Sequence, residues 1–268
     1  MLPFARSHAA VVLTLFSVSC AKHQSSDLAV AHADAVQPDD PILASIVAIG
    51  AKDSQTDSFR PFCTGVLMDA DTVLTAAHCL DGPEGEVTLG FGVDMKAPTA
   101  TRAAVGRRHE SYDAPYNEPF SFDLALLKIK GGAPSTAHGL PLMGEGELKV
   151  GARLQIAGYG ISAPKSGGEA SLEEENTALH TTSLKVTRIF DPDADDVAEY
   201  GLFVTRTVDG ISEVCAGDSG APVFSTEAGQ WKLAGIAVGG YGECNAQSYQ
   251  TNAAFFNEWI LKSKDSIP

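Results

Sequence analysis

From residue 42 onward, short runs of Val, Ile, Leu, Phe and Thr alternate with Gly, Pro, Asp and Ser at close spacing. The runs fall at 45–49, 64–68, 72–74, 87–91, 124–129, 153–157, 184–189, 202–204, 221–224 and 231–238. Short β-prone stretches bounded by turn residues read as strands. No helical pattern separates them, which indicates a sandwich or barrels rather than a parallel sheet wound with helices. The end of the chain differs. Phe255, Phe256, Trp259 and Ile260 share one face at helical spacing, so an amphipathic helix is expected over 253–262. Before the first strand, residues 21–41 are rich in Ala, Asp, Gln and Ser without periodicity and read as a tether or pro-segment.

The chain has 268 residues, 44% of them hydrophobic, with 26 glycines and 14 prolines. That length accommodates one large β unit or two small domains sharing an interface. The formal net charge of −15 repels phosphate backbones and argues against nucleic acid as a partner. The first twenty residues look like an export signal. Arg6 supplies a positive start, residues 9–18 are apolar, and small residues precede Cys20. A run of ten residues is too short for a permanent membrane span. Ser17-Val18-Ser19-Cys20 resembles a lipobox with Ser17 in place of the usual leucine, which makes Cys20 a lipidation candidate and the protein a membrane-anchored lipoprotein. The other reading is ordinary secretion, with cleavage near Ala29-Val30-Ala31. Either way Cys63, Cys79, Cys215 and Cys244 remain, an even set for two disulfides in an oxidising compartment.

Three segments carry reactive residue types. Gly217-Asp218-Ser219-Gly220 places glycines on both sides of a serine, so successive backbone N–H groups can converge on one spot. Leu74-Thr75-Ala76-Ala77-His78-Cys79 ends an apolar run on a histidine. Phe122-Asp123-Leu124-Ala125-Leu126 heads an apolar strand with one carboxylate, which must find a partner if buried. Each alone has a plain structural reading: a turn, a core histidine, a strand-start residue. Together, in the order His–Asp–Ser, they are the parts of an activated nucleophile.

The sequence therefore resembles the trypsin/chymotrypsin family of serine proteases and is identified as an exported bacterial member. The resemblance rests on "LTAAHC", "FDLALLKI" and "GDSGAP", with weaker matches at Phe62-Cys63-Thr64-Gly65, Ala157-Gly158-Tyr159-Gly160 and Trp259-Ile260, and covers about residues 42–262. It implies an all-β fold of two antiparallel β-barrels packed side by side with a C-terminal helix. The first barrel is expected at about 42–145, the second at about 146–252 and the helix at 253–262, all within a peptidase domain of 42–268. It implies a serine endopeptidase working through an acyl-enzyme, with Ser219 as nucleophile, His78 as base and Asp123 as orienting carboxylate. Gly217 and Ser219 N–H groups would form the oxyanion hole, and Cys63–Cys79 and Cys215–Cys244 the disulfides. A protein or peptide substrate and a monomer are expected, with no cofactor and no metal; the scattered histidines show no zinc-site spacing.

The departures from the family pattern concern specificity and activation. Glu213 stands six before the nucleophile, where the family's Arg/Lys-cleaving members carry Asp; with Val238 and Gly240 it is expected to shape the substrate pocket and favour cleavage after basic residues. The alternative is that Glu213 points away or stays neutral. Gly239 removes an aromatic wall. Family zymogens are cut before Ile-Val-Gly-Gly, and the new amine pairs with the aspartate before the nucleophile. Asp218 is present, but the tetrapeptide is not; Val30-Ala31-His32-Ala33 is the best-placed substitute. The acidic runs 191–196 and 172–176 read as solvated loops. The competing function is a catalytically inactive protease-like binding protein.

Overall fold

The computed structural model describes residues 33–81, 86–112, 120–160, 178–190, 201–209, 214–240, 244–245 and 247–267. Strands β1 (Asp34–Ala35), β2 (Ile46–Lys52), β3 (Phe59–Leu67), β4 (Thr72–Thr75), β5 (Glu86–Phe91), β6 (Ala100–Arg108) and β7 (Ala125–Ile129) come first. There follow β8 (Arg153–Gly158), β9 (His180–Ile189), β10 (Leu202–Thr207), β11 (Val214–Cys215), β12 (Pro222–Ser225), β13 (Lys232–Gly239), β14 (Cys244–Asn245) and β15 (Gln247–Asn252). The chain closes with helix α1 (Asn257–Ser263).

The first barrel closes in the order β2-β3-β4-β7-β6-β5, every pairing antiparallel. Its first hairpin shows how the sequence dictates this. Asp53 accepts the Gln55 and Thr56 N–H groups at 2.8 Å each, which turns the chain, and Asp57 takes positive φ in the same turn. Behind the turn, a bulge falls between Ile49 and Gly50. A side chain at Gly50 would meet the Arg60 carbonyl oxygen at 2.1 Å, so only glycine lets the two strands approach there. Val47, Ile49, Val66, Val73, Leu89 and Leu126 are fully buried in the resulting core.

The second barrel closes through β8-β9-β10-β15-β13-β12, with β12 and β9 both paired to β8, and β1 adds to β9. Two barrels and one terminal helix are thus the architecture the resemblance implied. The segment assigned to a tether is partly folded: Asp34 and Ala35 pair with Thr181 and His180, and Val36 is buried. Besides the two-residue strands β1, β11 and β14, two longer strands escape the pattern of apolar runs. β6 is dominated by Ala, Arg and Thr. β15 reads Gln-Ser-Tyr-Gln-Thr-Asn, yet it runs through the middle of the second sheet, where Gln250 bonds Thr205 and Ser248 side chains at 3.0 and 2.7 Å. Pairing with β10 and β13 makes it a strand where local preference does not.

The helix starts at Asn257, four residues later than expected, because Asn252 accepts the Ala254 and Phe255 N–H groups and holds 253–256 in turns. It returns to the first barrel. Trp259 Nε1 donates to Glu110 at 2.7 Å, and the His109 ring lies among Phe122, Phe256 and Trp259. Burial there lowers the basicity of His109, consistent with a packing role. Among the described residues no helix is long and apolar enough to cross a membrane.

Candidate active site

His78 follows β4 in a short 3-10 turn, Ala77–Leu80. Ala76 and Ala77 are fully buried where the turn leaves the barrel wall. The next residue, Cys79, is disulfide-bonded to Cys63 on β3, which anchors the turn. Asp123 precedes β7 and is 3% exposed. Its Oδ2 lies 2.6 Å from His78 Nδ1, and its Oδ1 accepts the His78 backbone N–H at 3.0 Å. Phe120 and Phe122, both at positive φ, shape the approach to Asp123. Burial opposes charging of the imidazole, but the hydrogen bond and charge of Asp123, with Asp81 further off, outweigh it and raise the His78 pKa.

Ser219 lies in the loop between β11 and β12. Inside that loop Asp218 N–H donates to Cys215, Gly220 N–H to Ala237 and Ala221 N–H to Asp218. Among the described residues, no hydrogen bond engages the N–H of Gly217 or Ser219, and both residues line the same cleft as His78. The cleft is about 580 Å³ and is bordered also by Phe62, the Cys63–Cys79 bridge and Val87. Phe62, 45% exposed, stands at its edge. Gly217 and Gly220 have φ of +93° and +79°. Gly220 is needed for space as well: a Cβ there would sit 2.1 Å from Thr75 Oγ1 and 2.2 Å from the Thr64 carbonyl oxygen.

Asp218 is buried and accepts the Gly160 and Cys215 N–H groups at 2.9 Å each. Burial raises its pKa to about 6, against the lowering effect of those two bonds. It borders a cavity of about 20 Å³ that Ala33 and His180 also line. Residues 30–32, the rest of the proposed activation segment, lie outside the described residues, as do Cys20, Glu213 and the acidic runs at 172–176 and 191–196.

Of the other pocket candidates, Val238 is buried in β13, and Gly240 follows that strand. Cys215 is disulfide-bonded, and Cys244 faces it in strand register. Sequence reasoning missed Phe120. Its ring stacks on Tyr249 at 4.9 Å and lies where a Cβ on Gly239 would come within 2.3 Å. An aromatic group therefore covers Gly239 after all, supplied by the other barrel. Phe120 is three residues before Asp123, and that proximity was the available signal.

The histidine–carboxylate pair, the serine in the shared cleft and the unengaged N–H groups can together support nucleophilic attack on a carbonyl. The trypsin family model matches residues 41–260, and the chain belongs to that family. It is 26% identical over 227 residues to trypsin eta of Drosophila erecta, covering 80% of this chain and 83% of that protein. It is 27% identical to alpha-fibrinogenase albofibrase of Trimeresurus albolabris, with 74% and 76% covered. Against granzyme M of Rattus norvegicus the identity is 28%, with 75% and 78% covered. The fold is similar to that of neuropsin, a serine protease of mouse brain, at a TM-score of 0.66 and 19% identity over 87% of this chain and 99% of the other. Family membership supports a peptidase function.

Proposed function

We propose that the protein is an active serine endopeptidase. The observation that carries this is the double hold of Asp123 on His78, at the edge of a cleft that also contains Ser219. In this reading Ser219 Oγ attacks the scissile carbonyl carbon, and its proton passes to His78 Nε2. Asp123 accepts from Nδ1–H and so keeps Nε2 free as the base. The oxygen that gains charge is received by the Gly217 and Ser219 N–H groups. His78 then protonates the leaving amine, and water releases the acyl group by the reverse path. A fluorophosphonate that forms a covalent bond to activated serines tests it: the wild type should label and hydrolyse a protein substrate, and Ser219→Ala should do neither. A mature wild type, its processed amino terminus verified, that folds but fails to label supports instead the inactive binding protein.

Specificity for basic residues rests on Glu213, which stands six residues before Ser219. Glu213→Gln should remove most of that preference. Activation is assigned to a new amine in the segment 30–33, because Ala33 lines the same small cavity as Asp218. Cys215–Cys244 is the second disulfide of this reading, supported by their register. Export, with or without lipidation of Cys20, rests on the first twenty residues. The relatives named above are animal proteins and lend no support to a bacterial origin. N-terminal sequencing and mass analysis of the mature protein test these points together.

A further inference from the structure

Thr64 is fully buried on β3, in the first barrel, and spends every polar atom on the loop of the second barrel or on its own support. Its N–H donates to the Ser219 carbonyl at 2.8 Å. Its hydroxyl accepts the Tyr159 N–H at 3.1 Å and donates to the Gly217 carbonyl at 3.0 Å. Its own carbonyl accepts from Thr75 Oγ1 at 2.8 Å. A hydroxyl has one proton, so acceptance from Tyr159 commits that proton to Gly217. Tyr159 is tied down in turn: its buried hydroxyl donates to the Gly92 carbonyl at 2.6 Å, just beyond β5.

Gly217 needs such a hold. With no side chain and φ at +93°, it is, like Gly220, a torsionally soft point of the loop, and rotation of its peptides would turn an N–H away from the cleft. We propose that Thr64 is a positioning residue for the oxyanion-binding loop. Its hydroxyl fixes Gly217 from one side while its backbone N–H fixes Ser219 from the other. The inference rests on the proposed peptidase reading and deepens it. Because β3 also carries Cys63, bridged to the residue after His78, the same strand registers both the base and the donor loop. A β-branched side chain with restricted χ1 suits that task.

The test compares Thr64→Val, which keeps the shape and removes the hydroxyl, with Thr64→Ser, which keeps the hydroxyl. Loss of a direct oxyanion donor lowers kcat by about 10²–10³; loosening one should lower it less, by about 10–100-fold in Thr64→Val. KM should stay within about twofold, because uniform substrate binding is untouched. The acidic inflection of the pH profile should stay in place, and Thr64→Ser should recover most of the rate. Wild-type kcat in Thr64→Val, or equal loss in both variants, overturns the proposal. Should Thr64→Val fail to fold, Tyr159→Phe releases the Gly92 anchor alone and should lower kcat with unchanged KM; no change overturns the proposal. A second arm needs no turnover. In a Ser219→Ala background, amide hydrogen exchange across 214–222 should quicken with Thr64→Val and not with Thr64→Ser, and unchanged exchange overturns the proposal. A wild type that never labels with fluorophosphonate would defeat the peptidase reading, while the exchange arm still decides the clamp.

Discussion

Asp123 holds His78 twice, by the ring at 2.6 Å and by the backbone at 3.0 Å, across 45 residues of chain. The two bonds do separate things. The backbone bond places the turn that carries the imidazole, and the ring bond fixes its tautomer.

Asp123→Asn keeps one carbonyl oxygen for the backbone bond but can hold the wrong tautomer. The expected loss is about 10⁴ in kcat near neutral pH. The His78 pKa, raised in the native protein, should fall in this variant, because burial is then opposed only by the charge of Asp81. Since catalysis needs the neutral ring, the acidic limb of kcat/KM in the wild type should lie above the ordinary imidazole range and move down on substitution. A kcat within tenfold of wild type, with an unmoved limb, would assign Asp123 a purely structural role.

Asp218 gives the fold a pH dependence of definite sign. Its pKa is raised from 3.8 to about 6, so between those values the folded chain binds more protons than the unfolded one. Stability contributed by the neutral form is present at low pH and lost as pH rises through about 6, by roughly 3 kcal/mol at 1.36 kcal/mol per pKa unit. Urea midpoints of unprocessed Ser219→Ala protein should therefore carry a falling component from pH 4 to 7 that Asp218→Asn removes. Processing to a free amine beside Asp218 should abolish it by favouring the carboxylate. A wild-type profile identical to that of Asp218→Asn would refute the burial argument.

The Cys63–Cys79 bridge closes a short loop of sequence separation 16. Replacing both cysteines with serine should lower stability by about 3 kcal/mol. Because Cys79 adjoins His78, kcat should fall as well, measured well below the melting temperature of the variant. Lowered stability with full kcat would show that the turn holds His78 without the bridge.

Gly220→Ala puts a methyl group into the Thr75 hydroxyl and the Thr64 carbonyl while requiring φ of +79°. Backbone strain alone costs about 1–3 kcal/mol, and the overlap adds to it by pushing the serine loop off the first barrel. The variant should melt lower and label slowly with fluorophosphonate. Wild-type labelling at wild-type stability would contradict the close packing described here.

Local pattern by itself determined where most strands lie, because apolar runs between turn residues need no distant partner to be read. It also singled out His78, Asp123 and Ser219 as candidates, since small residues or glycines stand beside His78 and Ser219 and Asp123 is the one carboxylate heading an apolar strand; their joint role came from the family resemblance. What it left open depends on closure of the two barrels. β15 is polar and becomes a strand through pairing with β10 and β13 on either side. Asp34 and Ala35 look like tether until β9 offers them a free edge. Phe120 covers Gly239 from the opposite barrel, and Thr64 reaches Gly217 across 153 residues. Contacts of that separation have no signature in composition or periodicity. They exist only once both cores have formed and the buried polar groups between them must find partners.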